Sequence, residues 1–198
     1  MKADYIDISE FRKIIVHLNR PYNLILELAL ETGARVGDIV ALPYSALHDR
    51  SITYTAQKTG KECTSKLSNK LYIKLACYSG SEWIFPSDKS KSGHITRQAV
   101  YNNLRKTAEM LGVKNHVSPH SARKTFAVGL LHKKGLNAVQ KALQHESVGT
   151  TALYCFSDVM QKKQFNNSSI DYELLSDMIA DKVVDRLNKR LDKGERVV

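Results

Sequence analysis

Residues 117–156 read VSPHSARKTFAVGLLHKKGLNAVQKALQHESVGTTALYCF and contain several chemically active side chains. His120 and Arg123 are three positions apart, so on a helix their side chains share one face. His145 follows after a helix-length segment, and Tyr154 comes nine residues later. A guanidinium offers a planar fork of donors that matches phosphate oxygens, and a phenol is a nucleophile once its proton is removed. Each residue alone is more typical of packing or a solvated face, but together they indicate a site that binds and attacks a phosphate.

Two cations earlier in the chain fit the same chemistry. Arg35 lies in ETGARVGDIVAL, where an apolar helix ends at Gly33 and a short helix begins. Lys58 lies in TAQKTGK, at a turn between two short segments of β-forming residues. Taken alone, Arg35 is typical of a helix-end surface residue and Lys58 of a solvated hairpin. Asp38, three positions after Arg35, either forms a weak surface ion pair or holds the Arg35 guanidinium in place.

These motifs, spanning roughly residues 7–156, resemble the catalytic core of the tyrosine recombinases, the phage-integrase family. That family has Arg in T-G-x-R, Lys in a β-hairpin, then H-x-x-R, G-H and a nucleophilic Tyr. The matching positions occur here in the same order: Arg35, Lys58, His120, Arg123, His145 and Tyr154. Gln144 replaces the usual Gly before the second His, and Ser121 and Ala122 replace the more typical residues between His and Arg. These departures leave every catalytic group present.

The resemblance implies a reaction in which the tyrosine attacks a DNA phosphate, forms a 3′-phosphotyrosyl link and frees a 5′ hydroxyl. No metal, ATP or other cofactor is expected, because a second hydroxyl reverses the step on a new strand. Arg35 and Arg123 would neutralise the charge that grows on the phosphate, and His145 would donate to a non-bridging oxygen. His120 would accept the tyrosine proton, and Lys58 would protonate the departing 5′ oxygen.

Composition favours a nucleic-acid partner. The 198 residues make one domain or at most two, with a net charge of +10 and a pI near 9.5. Such an excess of positive charge indicates a polyanionic partner. Double-stranded DNA is the first candidate and an acidic membrane surface is the second. No apolar run approaches the ~18–20 residues that span a bilayer, and the polar N-terminus is not typical of a signal peptide. Three cysteines without a CxxC pair predict free thiols, in keeping with a bacterial or phage-infected cytoplasm and the nucleoid.

The organisation along the chain predicts a mainly α fold with a small antiparallel β-hairpin or sheet, the tyrosine recombinase catalytic-domain fold. We expect that domain over residues 1–165, either as a short family member or as a fragment of a longer integrase. The helix expected over 95–111 carries basic residues that either follow DNA or are merely solvated: Arg97, Arg105 and Lys106.

Residues 166–198 form a separate C-terminal segment with an amphipathic helix over 170–191. This helix either packs on its own domain or, by resemblance, docks on a neighbouring protomer in a tetramer on DNA. An accessory DNA-bending protein is a further expected partner. The resulting function is integration, excision, inversion or resolution of a phage or other mobile element. The alternatives are a basic DNA-binding protein without catalytic activity and a type IB topoisomerase-like enzyme.

Overall fold

The computed structural model describes residues 5–145, 149, 151, 152 and 155. Two compact units divide the chain, Met1–Gly129 and Leu130–Val198. The predicted domain boundary after residue 165, the amphipathic helix over 170–191 and the nucleophile Tyr154 all lie outside the described residues. Within the described part of the chain, no helix has the length and apolarity needed to cross a membrane.

The described elements are mainly helical with one small sheet, which confirms the predicted fold class. The helices are α1 Ile8–Val16, α2 Tyr22–Thr32, α3 Val36–Val40, α4 Asn69–Tyr78, α5 Arg97–Met110 and α6 Pro119–Leu143. Strands β1 Leu47–His48, β2 Ser51–Thr55 and β3 Glu62–Lys66 form an antiparallel sheet in the order β1-β2-β3. Strand β1 was not predicted, because two residues are too few to show an alternating pattern.

Helix α2 is the centre of the first unit. It contacts α1, α3, α4 and α5, which explains why its sequence is apolar nearly all round. Asp7 caps α1, because its carboxylate accepts a 2.8 Å hydrogen bond from the Ser9 backbone N–H. The most deeply buried side chains of α2 are Leu24, Ile25, Leu26, Leu28 and Ala29.

Gly33 ends α2 as predicted, in the left-handed conformation with φ 70°. A Cβ atom at this position would overlap the ring of Phe126 on α6. Glycine therefore serves two purposes here, since it accepts the backbone angle without strain and lets α6 approach the end of α2. Arg35 follows two residues later as the extended residue that precedes α3.

The hairpin between β2 and β3 places Lys58 at its turn, as predicted. The Ala56 carbonyl accepts hydrogen bonds from the backbone N–H groups of Thr59 at 3.2 Å and Gly60 at 2.8 Å. The Ala56 N–H donates to the Lys61 carbonyl at 2.9 Å. Lys58 is exposed within this closed turn.

The helical run Pro119–Leu143 is interrupted at Gly135, where φ is 77° and ψ is 176°. Helical backbone continues directly on both sides of this glycine, so no loop separates the helix that carries His120 and Arg123 from the helix that leads to His145. Residues from Leu130 onward belong to the second unit.

Candidate active site

Arg123 is the most firmly held of the predicted site residues in the first unit. Its side chain is 6% exposed, and its Nη1 donates a 2.6 Å hydrogen bond to the Gly33 carbonyl oxygen. That carbonyl lies at the C-terminal end of α2, where the partial negative charge of the helix favours a cation. The contact joins residues 90 positions apart and brings α6 to the segment that carries Arg35.

His120 lies among several positive charges. Its pKa is lowered from the ordinary value by burial of its ring and then by the charges of neighbouring residues. In order of effect, those residues are Arg123, Arg97, Arg35 and Lys124. The structure thus brings together three predicted catalytic residues, Arg35, His120 and Arg123. A neutral imidazole is the form that can accept a proton, and the surrounding cations favour this neutral form of His120.

Lys124 belongs to this cluster although the sequence analysis did not single it out. It is 4% exposed, and lysines are almost never buried so fully unless they are paired. Nothing in its local sequence distinguishes it from the other members of a set of 30 lysines and arginines. Its place directly after the H-x-x-R motif is the one signal that points to the site.

Asp38 contacts the hairpin rather than Arg35. Its carboxylate is 5% exposed, and Oδ1 accepts a 3.1 Å hydrogen bond from the Gln57 backbone N–H. Arg35 and Asp38 both lie in the described part of the chain and form no ion pair there, so the expected ion pair between them is not observed. The physical reason is that a buried carboxylate gains more from a backbone donor than an exposed pair gains from Coulomb attraction.

Tyr54 on β2 is a second residue that sequence reasoning missed. Burial raises the pKa of its phenol, and so do the Cys63 thiol, to which it is hydrogen-bonded, and the Asp38 carboxylate, whereas Arg123 lowers it. Tyr54 is therefore near enough to Asp38 and Arg123 for both charges to act on its phenol. The alternating pattern of SITYT predicts a half-buried strand residue, but it does not show which residues Tyr54 faces.

His145 belongs to the second unit, where local contacts hold it. Its backbone N–H donates to the Gln140 carbonyl at 3.1 Å, and Gln140 Nε2 donates to its carbonyl at 3.2 Å. Nδ1 lies 3.1 Å from the Thr151 hydroxyl. Gln144, which stands where the family usually has Gly, has a φ of 53°. That left-handed angle explains the glycine preference at this position.

The three predicted DNA-binding residues on α5 have different surroundings. Arg97, the first residue of α5, is exposed and lies close enough to His120 to lower its pKa. Arg105 is held on its own helix, where Nε donates to Glu109 at 2.8 Å and Nη1 to the Tyr101 hydroxyl at 3.2 Å. Lys106 is exposed. Of these three, Arg97 is therefore the residue that adjoins the cluster around His120.

Solved structures share this architecture at low sequence identity. A λ integrase dimer bound to a COC′ core site superposes with a TM-score of 0.71 at 19% identity, over 86% of this chain and 52% of that one. A λ integrase tetramer bound to a Holliday junction superposes with a TM-score of 0.63 at 20% identity, and the match covers 74% of this chain and 48% of that one. These similarities establish the fold of the chain.

Sequence comparison identifies the family. Residues 4–160 match the Phage integrase family. Tyrosine recombinase XerD of Rhizobium meliloti (strain 1021) is 34% identical over 141 residues, covering 66% of this chain and 45% of XerD. The chain thus spans about half the length of the curated relatives it matches. With the match extending over most of its residues, and with Arg35, His120 and Arg123 gathered at one place in the fold, the chain belongs to the phage integrase family.

Proposed function

We propose that this chain is a site-specific DNA recombinase that cleaves and rejoins DNA through a 3′-phosphotyrosyl intermediate. The observation that carries the proposal is the convergence of Arg35, Arg123, Arg97 and Lys124 on His120. A site lined by four basic residues attracts an anion such as a DNA phosphate. The net charge of +10 extends this preference to the whole chain.

Charge stabilisation is the first task of the site. When a phenolate attacks the phosphorus, negative charge grows on the non-bridging oxygens, and Arg35 and Arg123 neutralise it. Arg123 is buried and its orientation is set by the Gly33 carbonyl, so little reorganisation is needed at the moment of reaction. Donors held in advance in this way are worth on the order of 10²–10³ in rate. His145 adds a hydrogen bond to the same oxygens.

Proton transfer is the second task. The Tyr154 phenol has an ordinary pKa of about 10, and its proton passes to the neutral His120 as the oxygen bonds to phosphorus. The bond from phosphorus to the 5′ oxygen then breaks, and Lys58 protonates that oxygen. The products are a 3′-phosphotyrosyl ester and a 5′ hydroxyl. Attack by a 5′ hydroxyl from another strand reverses both transfers and rejoins the DNA, for integration, excision, inversion or resolution.

Strand exchange requires several protomers on DNA. The λ integrase tetramer on a Holliday junction supports the same assembly for this chain, with the segment over 170–191 as the tie between neighbours. Arg97 and Lys106 contact the DNA backbone, and Arg105 does so once it leaves Glu109. A DNA-bending accessory protein would bring the two sites together in the bacterial cytoplasm.

A nicked suicide substrate tests the proposal directly. Because of the nick, the short fragment that carries the freed 5′ hydroxyl diffuses away after cleavage and cannot rejoin. The covalent protein–DNA adduct therefore accumulates and appears as a slowly migrating band in a denaturing gel. We expect an adduct with the wild-type protein and none with Tyr154→Phe, although both shift the DNA in a native gel. DNA binding by the wild-type protein without any adduct would show a basic DNA-binding protein without catalytic activity.

A further inference from the structure

We propose that Thr151 is a positioning residue for His145. Its hydroxyl holds Nδ1 of the imidazole, so that the proton of the neutral ring lies on Nε2, the nitrogen that donates to a non-bridging phosphate oxygen. The proposal rests on the proposed function and adds a residue that acts through His145 rather than on the DNA. We call the hydrogen bond between the Thr151 hydroxyl and His145 Nδ1 the ring contact.

The ring contact joins two side chains of the second unit. Thr151 Oγ1 lies 3.1 Å from His145 Nδ1, and the two residues are six positions apart. Thr151 is 0% exposed, and a hydrogen bond that is shielded from water is electrostatically stronger. Its β-branched side chain has few rotamers, and its backbone is helical. The ring of His145 therefore meets a partner with a restricted direction on its Nδ1 side.

The backbone of His145 is held by a different residue. Its N–H donates to the Gln140 carbonyl at 3.1 Å, and Gln140 Nε2 donates to its carbonyl at 3.2 Å. These two bonds fix where the side chain begins. They fix neither the rotation of the ring about its Cβ–Cγ bond nor the location of the ring proton. The Thr151 hydroxyl contacts a ring nitrogen directly, so it can set both.

The chemistry of the two partners decides which ring nitrogen must carry the proton. In a neutral imidazole one nitrogen is a donor and the other an acceptor, whereas a hydroxyl can donate and accept. An ionised phosphate oxygen only accepts, so the nitrogen that meets it must carry the proton. Since Nδ1 is engaged by Thr151, that nitrogen is Nε2, and the Thr151 O–H donates to Nδ1. The reverse arrangement would turn an unprotonated Nε2 toward an anion.

The expected effect on the rate is bounded on two sides. Removal of one preorganised donor to a developing oxyanion costs on the order of 10²–10³ in rate, which sets the ceiling for loss of His145 itself. Loss of a group that orients a metal-binding histidine costs about 10–10²-fold in activity. Thr151 orients His145 toward a phosphate in a comparable way, so we expect loss of its hydroxyl to fall in this lower range.

Two variants at position 151 separate the hydroxyl from the packing. Thr151→Val keeps the branched shape and replaces the hydroxyl with a methyl group. Thr151→Ser is the matched control, since it keeps the hydroxyl and deletes a buried methyl group. On the nicked suicide substrate we expect Thr151→Val to form the adduct about 10–10²-fold more slowly than the wild-type protein. Thr151→Ser should stay close to the wild-type rate.

A double variant tests whether Thr151 acts through His145. Thr151→Val/His145→Gln should be no slower than His145→Gln alone, because the two residues share one interaction. Additive losses would overturn the proposal. Slower cleavage by Thr151→Ser than by Thr151→Val would also overturn it, because the effect would then come from packing.

The location of the ring proton can be measured directly, without DNA. In the nitrogen-15 NMR spectrum of histidine-labelled protein, a ring nitrogen with a proton resonates far upfield of one without, and the signals missing from His145→Gln identify His145. Histidine has an ordinary pKa of about 6.5, so the spectra are recorded at about pH 8. We expect the wild-type ring to carry its proton on Nε2 and Thr151→Val to show signals averaged between the two tautomers. A wild-type proton on Nδ1 would overturn the proposal even if Thr151→Val does not fold.

This readout separates the proposal from the proposed function. A wild-type protein that makes no adduct, with a ring proton on Nε2 that is redistributed in Thr151→Val, would refute the recombinase proposal, while the role of Thr151 in fixing the ring would stand. Normal adduct formation with the same tautomer in the wild-type protein and in Thr151→Val would refute the role of Thr151 alone.

Discussion

Replacement of Gly33 by alanine tests how the end of α2 supports Arg123. The backbone φ of 70° at this residue is left-handed, and a residue with a Cβ pays roughly 1–2 kcal/mol there. The added Cβ would also overlap the Phe126 ring. An overpacked core position typically costs about 1–3 kcal/mol. The sum is a loss of about 2–5 kcal/mol in the free energy of unfolding.

Gly112→Ala is the matched control for the backbone term. Gly112 has a φ of 67°, close to that of Gly33, but a Cβ there has nothing within 4 Å. We therefore expect Gly112→Ala to lower the free energy of unfolding by about 1–2 kcal/mol. Any larger loss in Gly33→Ala measures the cost of the overlap with Phe126. The double variant Gly33→Ala/Phe126→Ala removes the overlap, so its loss should be smaller than the sum of the two single losses.

Thermal unfolding measures these differences, and adduct formation measures their effect on the site. For a protein of this size, 1 kcal/mol moves the melting temperature by about 2–4 °C, so Gly33→Ala should melt about 4–20 °C lower and the control about 2–8 °C lower. Adduct formation should fall more for Gly33→Ala, because the displaced carbonyl no longer orients Arg123. Equal melting temperatures for Gly33→Ala and Gly112→Ala would refute the packing argument.

Three further changes test separate parts of the site. Tyr154→Phe should bind DNA normally and form no adduct on the suicide substrate, and an adduct in this variant would contradict its assignment as nucleophile. Arg97→Ala should shift the acid limb of the pH–rate profile to higher pH. The lowered pKa of His120 keeps the wild-type imidazole neutral below its ordinary value of about 6.5, and loss of one neighbouring cation raises that pKa. An unshifted profile with Arg97→Ala would disprove the electrostatic link. Arg105→Ala should weaken DNA binding less than Arg97→Ala at equal salt, because Glu109 already holds its guanidinium, and the opposite order would show that the salt bridge opens on DNA.

The sequence alone determined the local elements and the catalytic residue types. The two short strands around Lys58 were correctly predicted, because β-forming residues on either side of a turn are a short-range signal. Gly33 was correctly placed at the end of α2, since few other residues adopt a left-handed angle cheaply. The family was correctly identified from six positions in order: Arg35, Lys58, His120, Arg123, His145 and Tyr154. Motifs of this kind can be recognised in a sequence because the chemical properties of a side chain depend first on its residue type.

Only the tertiary structure decided which groups pair. Asp38 was expected beside Arg35, three positions away, yet its buried carboxylate accepts from the Gln57 backbone N–H, because a buried carboxylate needs a donor and the packing of the hairpin supplies one. Arg123 is oriented by a carbonyl 90 positions earlier. The burial of Lys124 and the position of Tyr54 near Asp38 and Arg123 likewise depend on how the helices and hairpin pack. Burial and hydrogen-bond partners are properties of the packed chain. The amino-acid sequence therefore determines which functional groups are present, and the fold determines which of them are in contact.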